Sequence, residues 1–589
     1  GADSGGGGGF QPILLAWEAI GLIVPLHHRG CGVCFGGKRF HRGEFGSSSS
    51  SRISSSGSAA ACSAAAGGAG GHTWRGSVTA IMGPSGAGKT SLLSVLSGRC
   101  TGRVTGSVRI NGACASAETV RGVSGYVAQE DVLPETLTCF EHLMFHATLR
   151  MTSYPIGGGG GVSGHRRGVV SREARKGRVL EVLRDLKMED IRDYRIGGGL
   201  SRGISGGEKR RLSIGTELLT RPGLLFLDEP TTGLDSSTAM VTMQLLSDMA
   251  SRGTTIVCSL HQPRPQVYHL LDRVLLMSRG QVAFFGPPAA APGYFASVGR
   301  PLDGGGERGV VGGVEDADAM LDIVGDAEIA EDGDGASGGR AEGERVGGLL
   351  VLMDRDAVLE EVRIAESAAP PALGYGLTTR TPSIATQLKA LGGRALLNVA
   401  RDPYLAALHL AIMPFVGLLV GSLFGDLRRL DEETAGVQGR LGVLFFLLLF
   451  LSFLSLTSLA AWVKQMTLFR HERTSGAYGA AAHLCTTFLA DALVCRVLPP
   501  VILAATVRPL AGLRDGSLSV LCGVLVVFNL ALTAVLSACG TGARSAQEAL
   551  ALGCLVVLFS ALLSGFLVSR EDLPVFWREL VWASPIAHG

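Results

Sequence analysis

The stretch GPSGAGKT, residues 83–90, decides the fold of the front of this chain. It fits the pattern G-x-x-x-x-G-K-[ST], follows the apolar run VTAIM and precedes the helix-like run SLLSVL. Glycines let backbone N–H groups turn inward around phosphate oxygens, and the positive end of the following helix adds to the attraction. In this pattern Lys89 reaches the β- and γ-phosphates, and Thr90 ligates Mg²⁺. A chance match is the alternative in a chain with 84 glycines, but the flanking strand and helix favour a phosphate-binding loop.

Length and composition place the chain in a broad class. Its 589 residues are enough for two or three domains, and a net charge of +2 gives no general argument for nucleic-acid binding. Only 18% of the residues are charged, and the surplus apolar residues lie mostly after Tyr404, which predicts a soluble front and a membrane-embedded back. We interpret most of the 12 cysteines, such as Cys258 and Cys522, as small apolar fillers. Because the sequence starts at Gly1 without methionine and stops at Gly589, we expect both ends to be incomplete.

Buried strands that alternate with helices predict an α/β front domain with a largely parallel sheet. The strand-like runs include VTAIM, LLFL and TTIVCS. The segment QPILLAWEAIGLIVPL, residues 11–26, is short for a membrane span and contains Glu18, so it favours a β-strand pair over a signal peptide. We assign residues 1–301 to a nucleotide-binding domain with low-complexity insertions near 46–71 and 155–168, and residues 302–383 to an acidic, glycine-rich linker.

Five apolar runs follow, each long enough to cross a bilayer, at residues 404–424, 441–463, 482–507, 517–539 and 549–568. Helices buried in a soluble core are the alternative, but five such runs in succession are hard to bury in a water-soluble protein. Basic residues before the first run and between the second and third indicate a cytosolic side, as for a cytosolic nucleotide domain. We predict a multi-pass integral membrane domain at residues 384–589. Ionisable groups in spans are often functional, but for Asp491 and Arg496 we favour a mutual pair near a membrane face; His409 also lies in a span.

Two carboxylates follow the buried run LLFL. Asp228 is placed to hold Mg²⁺ and Glu229 to polarise an attacking water as general base, although an Asp-Glu pair at a strand end is usually only solvated. His261 ends the next strand, where it could contact a γ-phosphate, and Gln129 in YVAQED could bridge Mg²⁺ and the water. A lone histidine or glutamine is uninformative, so both predictions depend on the rest of the pattern.

The run ISGGEKRR, residues 204–211, predicts the start of a helix. Ser205 is a good N-cap, and Gly206 and Gly207 allow a ligand to approach the backbone closely. Free N–H groups and the helix dipole then favour an anion at this end. The alternative is an ordinary capped basic helix.

These elements occur in one order: phosphate loop, Gln129, SGGE, LLFLDEP, GLD and His261. The order resembles the ATPase domain of ATP-binding-cassette proteins, an α/β P-loop NTPase fold. The runs SRGISGGEKRRLSIGTELL and SLHQPRPQVYHLLDRVLLMSRG resemble the G subfamily, the White-type half-transporters. So does the order of nucleotide domain before membrane domain. The runs FRHERTSGAYGAAAHL and LFSALLSGFLVSREDLPVFWRELVWASPIAHG resemble that family's all-α, polytopic ABC-2 type transmembrane domain.

The resemblance implies ATP and Mg²⁺ as cofactors and a role for each matching residue. Three residues are implied in catalysis: Glu229 is the base, His261 is the γ-phosphate switch, and Gln129 senses Mg²⁺ and links to the membrane domain. Mg²⁺ binding falls to Thr90, Gln129 and Asp228, and Asp235 lies at the dimer seam. The residues implied in ATP binding are Gly83, Pro84, Ser85, Gly86, Ala87, Gly88, Lys89, Thr90, Ser91, Ser205, Gly206, Gly207, Glu208 and Asp235.

The resemblance also implies that Ser205–Glu208 form the family's signature motif. In that family the signature motif of one protomer closes over ATP held by the other. The resemblance therefore implies a homo- or heterodimer with a second half-transporter, which hydrolyses ATP and exports a substrate across a membrane. We expect membrane lipid and a lipophilic small-molecule substrate as further partners, although apolar spans suit lipid contact equally well. The segment around Glu472 and Arg473 is expected to pass the closing motion to the spans. A soluble cassette ATPase acting on nucleic acid or ribosomes is an alternative that the five spans oppose. A non-transporting or regulatory partner subunit is another, which the intact Lys89, Asp228, Glu229 and His261 oppose.

The chain departs from the family pattern in three respects. The acidic stretch after Leu302 is longer than expected. No aromatic residue can be assigned to stack on adenine, because Trp74 lies too close to the phosphate loop. Five of the six expected spans are present, so we expect a fragment that lacks the last transmembrane helix.

Overall fold

The computed structural model describes residues 13–23, 69–73, 75–100, 102–151, 153–154, 168–198, 202–297, 302, 317, 319–324, 382–425, 434–512, 518–568 and 574–588. The predicted insertion near 46–71 and Trp74 lie outside these residues, as do most of the insertion near 155–168 and of the linker. The chain forms two compact units. The first unit comprises Gly1–Asp131, Ser153–Arg192 and Ile204–Arg380; the second comprises Val132–Thr152, Asp193–Gly203 and Thr381–Gly589.

The strands all belong to the first unit. They are β1 Leu15–Ile23, β2 Ala69–Thr73, β3 Val78–Met82, β4 Arg103–Ile110, β5 Ala113–Cys114, β6 Ser124–Val127, β7 Ser153–Tyr154, β8 Gly168–Val169, β9 Leu224–Leu227, β10 Thr255–Ser259, β11 Arg273–Ser278 and β12 Gln281–Gly286.

The first eight helices precede the linker, and all except α3 belong to the first unit. They are α1 Lys89–Leu96, α2 Ala117–Val123, α3 Cys139–Arg150, α4 Arg172–Asp185, α5 Gly206–Leu218, α6 Ser236–Ser251, α7 Pro265–Tyr268 and α8 Ala291–Ser297. A 3₁₀ turn, Pro288–Ala290, leads into α8.

Residues 317 and 319–324 are also helical and belong to the first unit. The helices that follow them belong to the second unit. They are α9 Ile384–Arg401, α10 Tyr404–Leu423, α11 Thr434–Leu456, α12 Leu459–Thr474, α13 Ala480–Asp491, α14 Leu498–Ala511, α15 Leu518–Gly542, α16 Ala546–Leu562, α17 Val575–Leu580 and α18 Pro585–His588. A π-helical turn, Ala492–Val497, joins α13 to α14, and a 3₁₀ turn, Val581–Ala583, follows α17.

The core of the first unit is a six-stranded sheet in the order β12-β11-β3-β10-β9-β6. Five strands run parallel, and only the edge strand β12 is antiparallel. Strands β3, β9, β10 and β11 are buried along their whole length, which explains why they are continuous apolar runs rather than alternating ones. The predicted α/β fold with a parallel sheet is confirmed. Strand β10 lies between β3 and β9, so the carboxyl ends of these three strands meet at one edge.

The first unit also contains a four-stranded antiparallel sheet, in the order β2-β1-β4-β5, and a two-stranded antiparallel pair, β7-β8. The segment that predicted a strand pair forms instead one nine-residue strand, β1, whose partners β2 and β4 come from later in the chain. Its Trp17 is buried and meets the Phe285 ring edge-on. In the main sheet, Cys258 is a free, fully buried thiol whose pKa is raised to about 12 by burial, as expected of an apolar filler.

The described part of the second unit is mainly helical, and helices cover most of the five predicted apolar runs. Three helical segments among the described residues are long and apolar enough to cross a membrane: Tyr404–Leu423, Val437–Thr474 and Leu518–Gly542. Two shorter apolar helices are Ala480–Leu489 and Ala546–Leu562. Helices α10, α11, α14 and α15 share one hydrophobic cluster that includes Met413, Leu447, Leu503, Leu525 and Leu532.

Glycines set the closest approach between α10 and α14. A Cβ at Gly417 would lie 1.9 Å from Thr506 Oγ1, and one at Gly421 would lie 2.5 Å from Leu510 Cβ. The two glycines are four residues apart and face one side of α10. Small residues at this spacing let helices pack with their backbones close together inside a membrane.

Candidate nucleotide-binding site

The phosphate loop joins β3 to α1. Gly83 has φ +150°, and a Cβ there would lie 2.3 Å from Met277 O, so the loop passes too close to β11 for any side chain. Gly88, with φ +97°, turns the chain into α1 through a left-handed conformation. The Lys89 ammonium donates to Gly83 O at 2.8 Å and to Pro84 O at 2.9 Å, so this cation lies across the loop. A concave backbone with a buried lysine at its mouth is suited to polyphosphate.

Asp228 directly follows β9 and reaches the start of α1. Thr90 Oγ1 donates to Asp228 Oδ1 at 3.2 Å, which places the hydroxyl of the first turn of α1 beside the carboxylate that follows β9. Mg²⁺ prefers oxygen ligands and takes few of them from the protein, so this donor set fits the ion. Asp228 is buried. Burial, together with the Asp228 charge, raises the pKa of Tyr126 to about 12, so that phenol stays neutral.

Glu229 and Gln129, which were predicted to act as general base and as Mg²⁺ sensor, are hydrogen-bonded to each other. Gln129 Nε2 donates to Glu229 Oε2 at 2.8 Å, and Thr232 Oγ1 donates to the same oxygen at 3.0 Å. Glu229 has φ +46°, a left-handed conformation that is uncommon for a residue other than glycine. Such strain persists where surrounding contacts enforce it, and it is enriched at functional sites. His261 follows β10 by two residues, and its side chain is exposed.

The signature helix α5 begins with a capping box. Ser205 Oγ accepts from Glu208 N at 3.3 Å, while Glu208 Oε2 accepts from Ser205 N at 2.7 Å. The two glycines differ in surroundings. A Cβ at Gly206 would meet nothing within 4 Å, whereas one at Gly207 would lie 1.9 Å from Thr238 Cγ2 of α6. Gly206 therefore leaves the helix start open, and Gly207 allows α5 and α6 to pack closely.

Asp235 caps helix α6. Its carboxylate accepts from Thr238 N at 3.1 Å and from the Ser237 hydroxyl. These hydrogen bonds lower the pKa of Asp235 to about 2. The carboxylate therefore stays ionised over the physiological range.

Two residues that the sequence analysis did not single out hold the site together. Arg210 is buried and donates through Nη2 to Asp228 O at 2.6 Å and through Nη1 to Gln129 O at 3.2 Å and to the Asp131 carboxylate at 3.2 Å. Arg210 therefore connects α5 to the backbone at Asp228 and to the backbone at Gln129. Ser259 is fully buried and contacts both Asp228 and Glu229. Arg210 lies in the quoted run ISGGEKRR and Ser259 in TTIVCS, but neither residue type at such a position is specific.

The second unit contains a buried ionic cluster. Arg394 Nη1 donates to Glu472 Oε1 at 2.6 Å, and Arg394 Nη2 donates to Tyr478 OH at 3.3 Å. The guanidinium also lies 4.2 Å from the centre of the Phe145 ring of α3. His146, again from α3, has Nε2 at 3.6 Å from Glu472 Oε1. Glu472, predicted to transmit motion, therefore joins α9 to α3 and α12.

Arg496 is a second buried cation among the described residues of this unit. It donates through Nη1 to Ser455 Oγ at 3.1 Å and through Nη2 to Ser458 Oγ at 2.5 Å. Pro500 has no N–H to bond the Arg496 carbonyl within the helix, and Asn529 Nδ2 donates to that carbonyl at 3.0 Å instead. The Asp491 side chain lies outside the described residues, so the predicted Asp491–Arg496 pair stays a prediction. His409 is fully buried, with Nε2 3.3 Å from Thr457 Oγ1.

The fold and this site define an ATP-binding-cassette ATPase joined to a helical membrane domain, and comparison with known proteins agrees. Residues 70–232 match the family described as ABC transporter, and residues 386–589 match the family described as ABC-2 type transporter. A solved dimeric ATP-binding cassette in a post-hydrolysis state with ADP and phosphate aligns with a TM-score of 0.34 and 20% identity, covering 46% of this chain and 98% of that one.

Relatives place the chain more finely. It is 32% identical over 515 residues to the broad substrate specificity ATP-binding cassette transporter ABCG2 of Sus scrofa, an alignment that covers 84% of this chain and 74% of that protein. It is 30% identical over 526 residues to ABC transporter G family member 22 of Arabidopsis thaliana, covering 85% and 66%. The chain belongs to the G family of ATP-binding-cassette transporters, and it is a membrane protein with an ATP-binding, ATP-hydrolysing domain.

Proposed function

We propose that the chain is a half-transporter that dimerises, hydrolyses ATP with Mg²⁺ at two shared sites and exports a lipophilic molecule. One observation carries this proposal. Within the first unit, the phosphate loop, Asp228 and Glu229 form one group, and the capped start of α5 at Ser205 and Gly206 is exposed. An exposed helix start with free N–H groups binds phosphate supplied from elsewhere. In a head-to-tail dimer, the ATP phosphates bound by one chain face the start of α5 in the other chain. This arrangement occurs twice, once at each site.

The residues of the site divide the work of hydrolysis. Lys89 and the loop backbone bind the β- and γ-phosphates. Thr90 and Asp228 hold Mg²⁺, which supplies charge neutralisation at the phosphates when bound. Glu229 accepts the proton of the attacking water, and Gln129 orients that carboxylate. His261 contacts the γ-phosphate, and Asp235 lies at the dimer seam.

In this proposal, export requires that the closure of two nucleotide-binding domains on ATP moves the membrane-spanning helices. Residues 132–152, which include α3, fall in the second unit together with α9 and α12. Glu472, at the end of α12, contacts residues of α9 and α3, so a shift of α3 would displace the end of α12. Ligand contacts made in only one of two states are sufficient to drive such a change. The basic residues around Lys389 and Arg473 support a cytosolic nucleotide domain. The proposal of a lipophilic substrate rests on the family alone, because apolar spans suit contact with lipid equally well.

The test is ATP hydrolysis by the full-length protein in lipid nanodiscs, with particle mass measured on the same sample. Glu229→Gln is expected to lower kcat by about 10²- to 10⁴-fold while ATP still binds, because only the base is lost. Glu118→Gln, an exposed carboxylate in the first turn of α2, is the matched control and should hydrolyse as the wild type does. Transport is then read as ATP-dependent movement of lipophilic dyes in vesicles.

Each alternative has its own outcome. Full activity in a monomer contradicts shared sites, and full activity of Glu229→Gln contradicts the assigned base. A dimer that binds ATP without hydrolysing it favours a non-transporting or regulatory partner subunit over an autonomous exporter.

A further inference from the structure

Ser259 occupies a special place in the sheet. It is the last residue of β10, the strand between β3, which leads to the phosphate loop, and β9, which leads to the two carboxylates. Cys258 is the last β10 residue in register with β9, opposite Leu227. Ser259 therefore sits where the ladder ends, next to Asp228, and it is fully buried.

One hydroxyl contacts both carboxylate residues. Ser259 Oγ donates to Asp228 Oδ1 at 2.6 Å, and it accepts from Glu229 N at 2.8 Å. A serine hydroxyl has one donor and two acceptor positions, so both bonds can exist at once. The first has the short length of a hydrogen bond to an ionised oxygen.

The second bond replaces part of the sheet ladder. Asp228 N donates to Val127 O of β6 at 2.9 Å, so the next N–H, that of Glu229, points to the opposite side, towards β10. There it finds the Ser259 side chain rather than a backbone carbonyl. Glu229 leaves the strand at φ +46°, and the hydroxyl gives this turned N–H its acceptor. Ser259 thus fixes the backbone from which the Glu229 side chain projects.

We propose that Ser259 is a positioning residue of the ATPase site, whose hydroxyl sets the Asp228 carboxylate for Mg²⁺ and the Glu229 backbone for water activation. This inference rests on the roles proposed above for Asp228 and Glu229. Thr90 also donates to Asp228 Oδ1, but only Ser259 among the described side chains contacts both acidic residues.

Ser259→Ala removes the hydroxyl without adding volume. We expect kcat to fall roughly 10- to 100-fold, because small displacements of catalytic groups are costly. The Mg²⁺ concentration for half-maximal activity should rise about 10-fold, as it does when a partner of a metal ligand is lost. The KM for ATP should change little, because Lys89 and the loop are untouched. Ser259→Thr keeps the hydroxyl and should recover most of both losses.

Thr255→Val is the matched control, since Thr255 is also fully buried and lies at the other end of β10. Its hydroxyl donates to Ile13 O at 2.5 Å and accepts from Gly76 N at 3.3 Å, away from the carboxylates. Loss of this hydroxyl should cost stability while leaving the Mg²⁺ dependence unchanged. Thermal unfolding of both variants shows that any difference in activity is not a difference in folding.

The second readout is Mg²⁺-dependent binding of a fluorescent ATP analogue, which needs no turnover. Ser259→Ala should require about 10-fold more Mg²⁺ for the same bound fraction. An Mg²⁺ requirement equal to that of the wild type, or an equal rise in Thr255→Val, overturns the inference. If the wild type binds the analogue but hydrolyses no ATP, the proposed function fails, and the binding comparison alone decides the role of Ser259.

Discussion

Arg401 and Glu141 form a two-pronged ion pair although 260 residues separate them. Arg401 Nη1 lies 2.5 Å from Glu141 Oε2, and Nη2 lies 2.7 Å from Oε1. The hydrogen bonds from Arg401 hold the pKa of Glu141 below its usual range. Arg401 also donates to Thr136 O at 2.9 Å. The last turn of α9 is therefore fastened to the start of α3 within the second unit.

Breaking this pair should loosen the attachment of α3. Arg401→Ala is expected to lower the free energy of unfolding by about 1–3 kcal/mol, because bidentate bonds between charged groups are lost. A double-mutant cycle with Glu141→Ala, followed by thermal unfolding in detergent, gives the coupling energy. Arg252→Ala is the control, since its pair with Asp185 is largely exposed and should contribute under 1 kcal/mol. Additive effects of the Arg401 and Glu141 variants would contradict the prediction.

Two buried histidines of α3 predict acid sensitivity. Burial holds the pKa values of His142 and His146 well below the ordinary 6.5, with the Arg394 charge acting in the same direction at both. Both stay neutral in the folded chain, while the unfolded chain takes up protons below pH 6.5. Stability is therefore fully present above pH 6.5 and is lost as the pH falls, by up to roughly 1.4 kcal/mol per histidine and pH unit.

Unfolding midpoints at pH 7.5 and 5.5 test this effect. The double variant His142→Asn/His146→Asn should show a smaller drop between the two values than the wild type. The exposed His269 gives the control, because His269→Asn should leave the drop unchanged. An unaltered drop in the double variant would place the acid sensitivity elsewhere.

Alanine at Gly206 and alanine at Gly207 should have different effects on stability and on ATP hydrolysis. Gly207→Ala pushes a methyl group into Thr238, so the folded state should lose about 1–3 kcal/mol, and Thr238→Ser should restore most of that loss. Gly206→Ala adds its methyl group in open space, so stability should be kept or slightly raised, while hydrolysis falls because the helix start is blocked. Unfolding midpoints and ATPase rates of the three variants separate the cases. Equal destabilisation by both alanines would refute the difference.

Local pattern predicted much of the site. The phosphate-loop pattern assigned Thr90 to Mg²⁺, and the two carboxylates after LLFL were assigned to Mg²⁺ and to water activation. The structure places the Thr90 hydroxyl against Asp228, because parallel strands place their carboxyl ends together. The role of Ser259 was not predictable, since a serine at a strand end is common and its meaning depends on the register with β9. The contrast between Gly206 and Gly207 depends on how α6 packs. The pair Arg401–Glu141 joins segments too distant for any periodicity to connect.

The placement of α3 bears on how the protein is made. Ribosomes release this helix long before α9 and α12 exist, yet Phe145 and Leu149 bury their side chains in a cluster with Leu391, Met466 and Phe469. During synthesis the apolar side chains of α3 are exposed until α9 and α12 have been made, and a chaperone or slow elongation would protect them from aggregation. The same reasoning applies to a purified ATPase domain that lacks the membrane helices, because Phe145 and Leu149 would then be exposed to water.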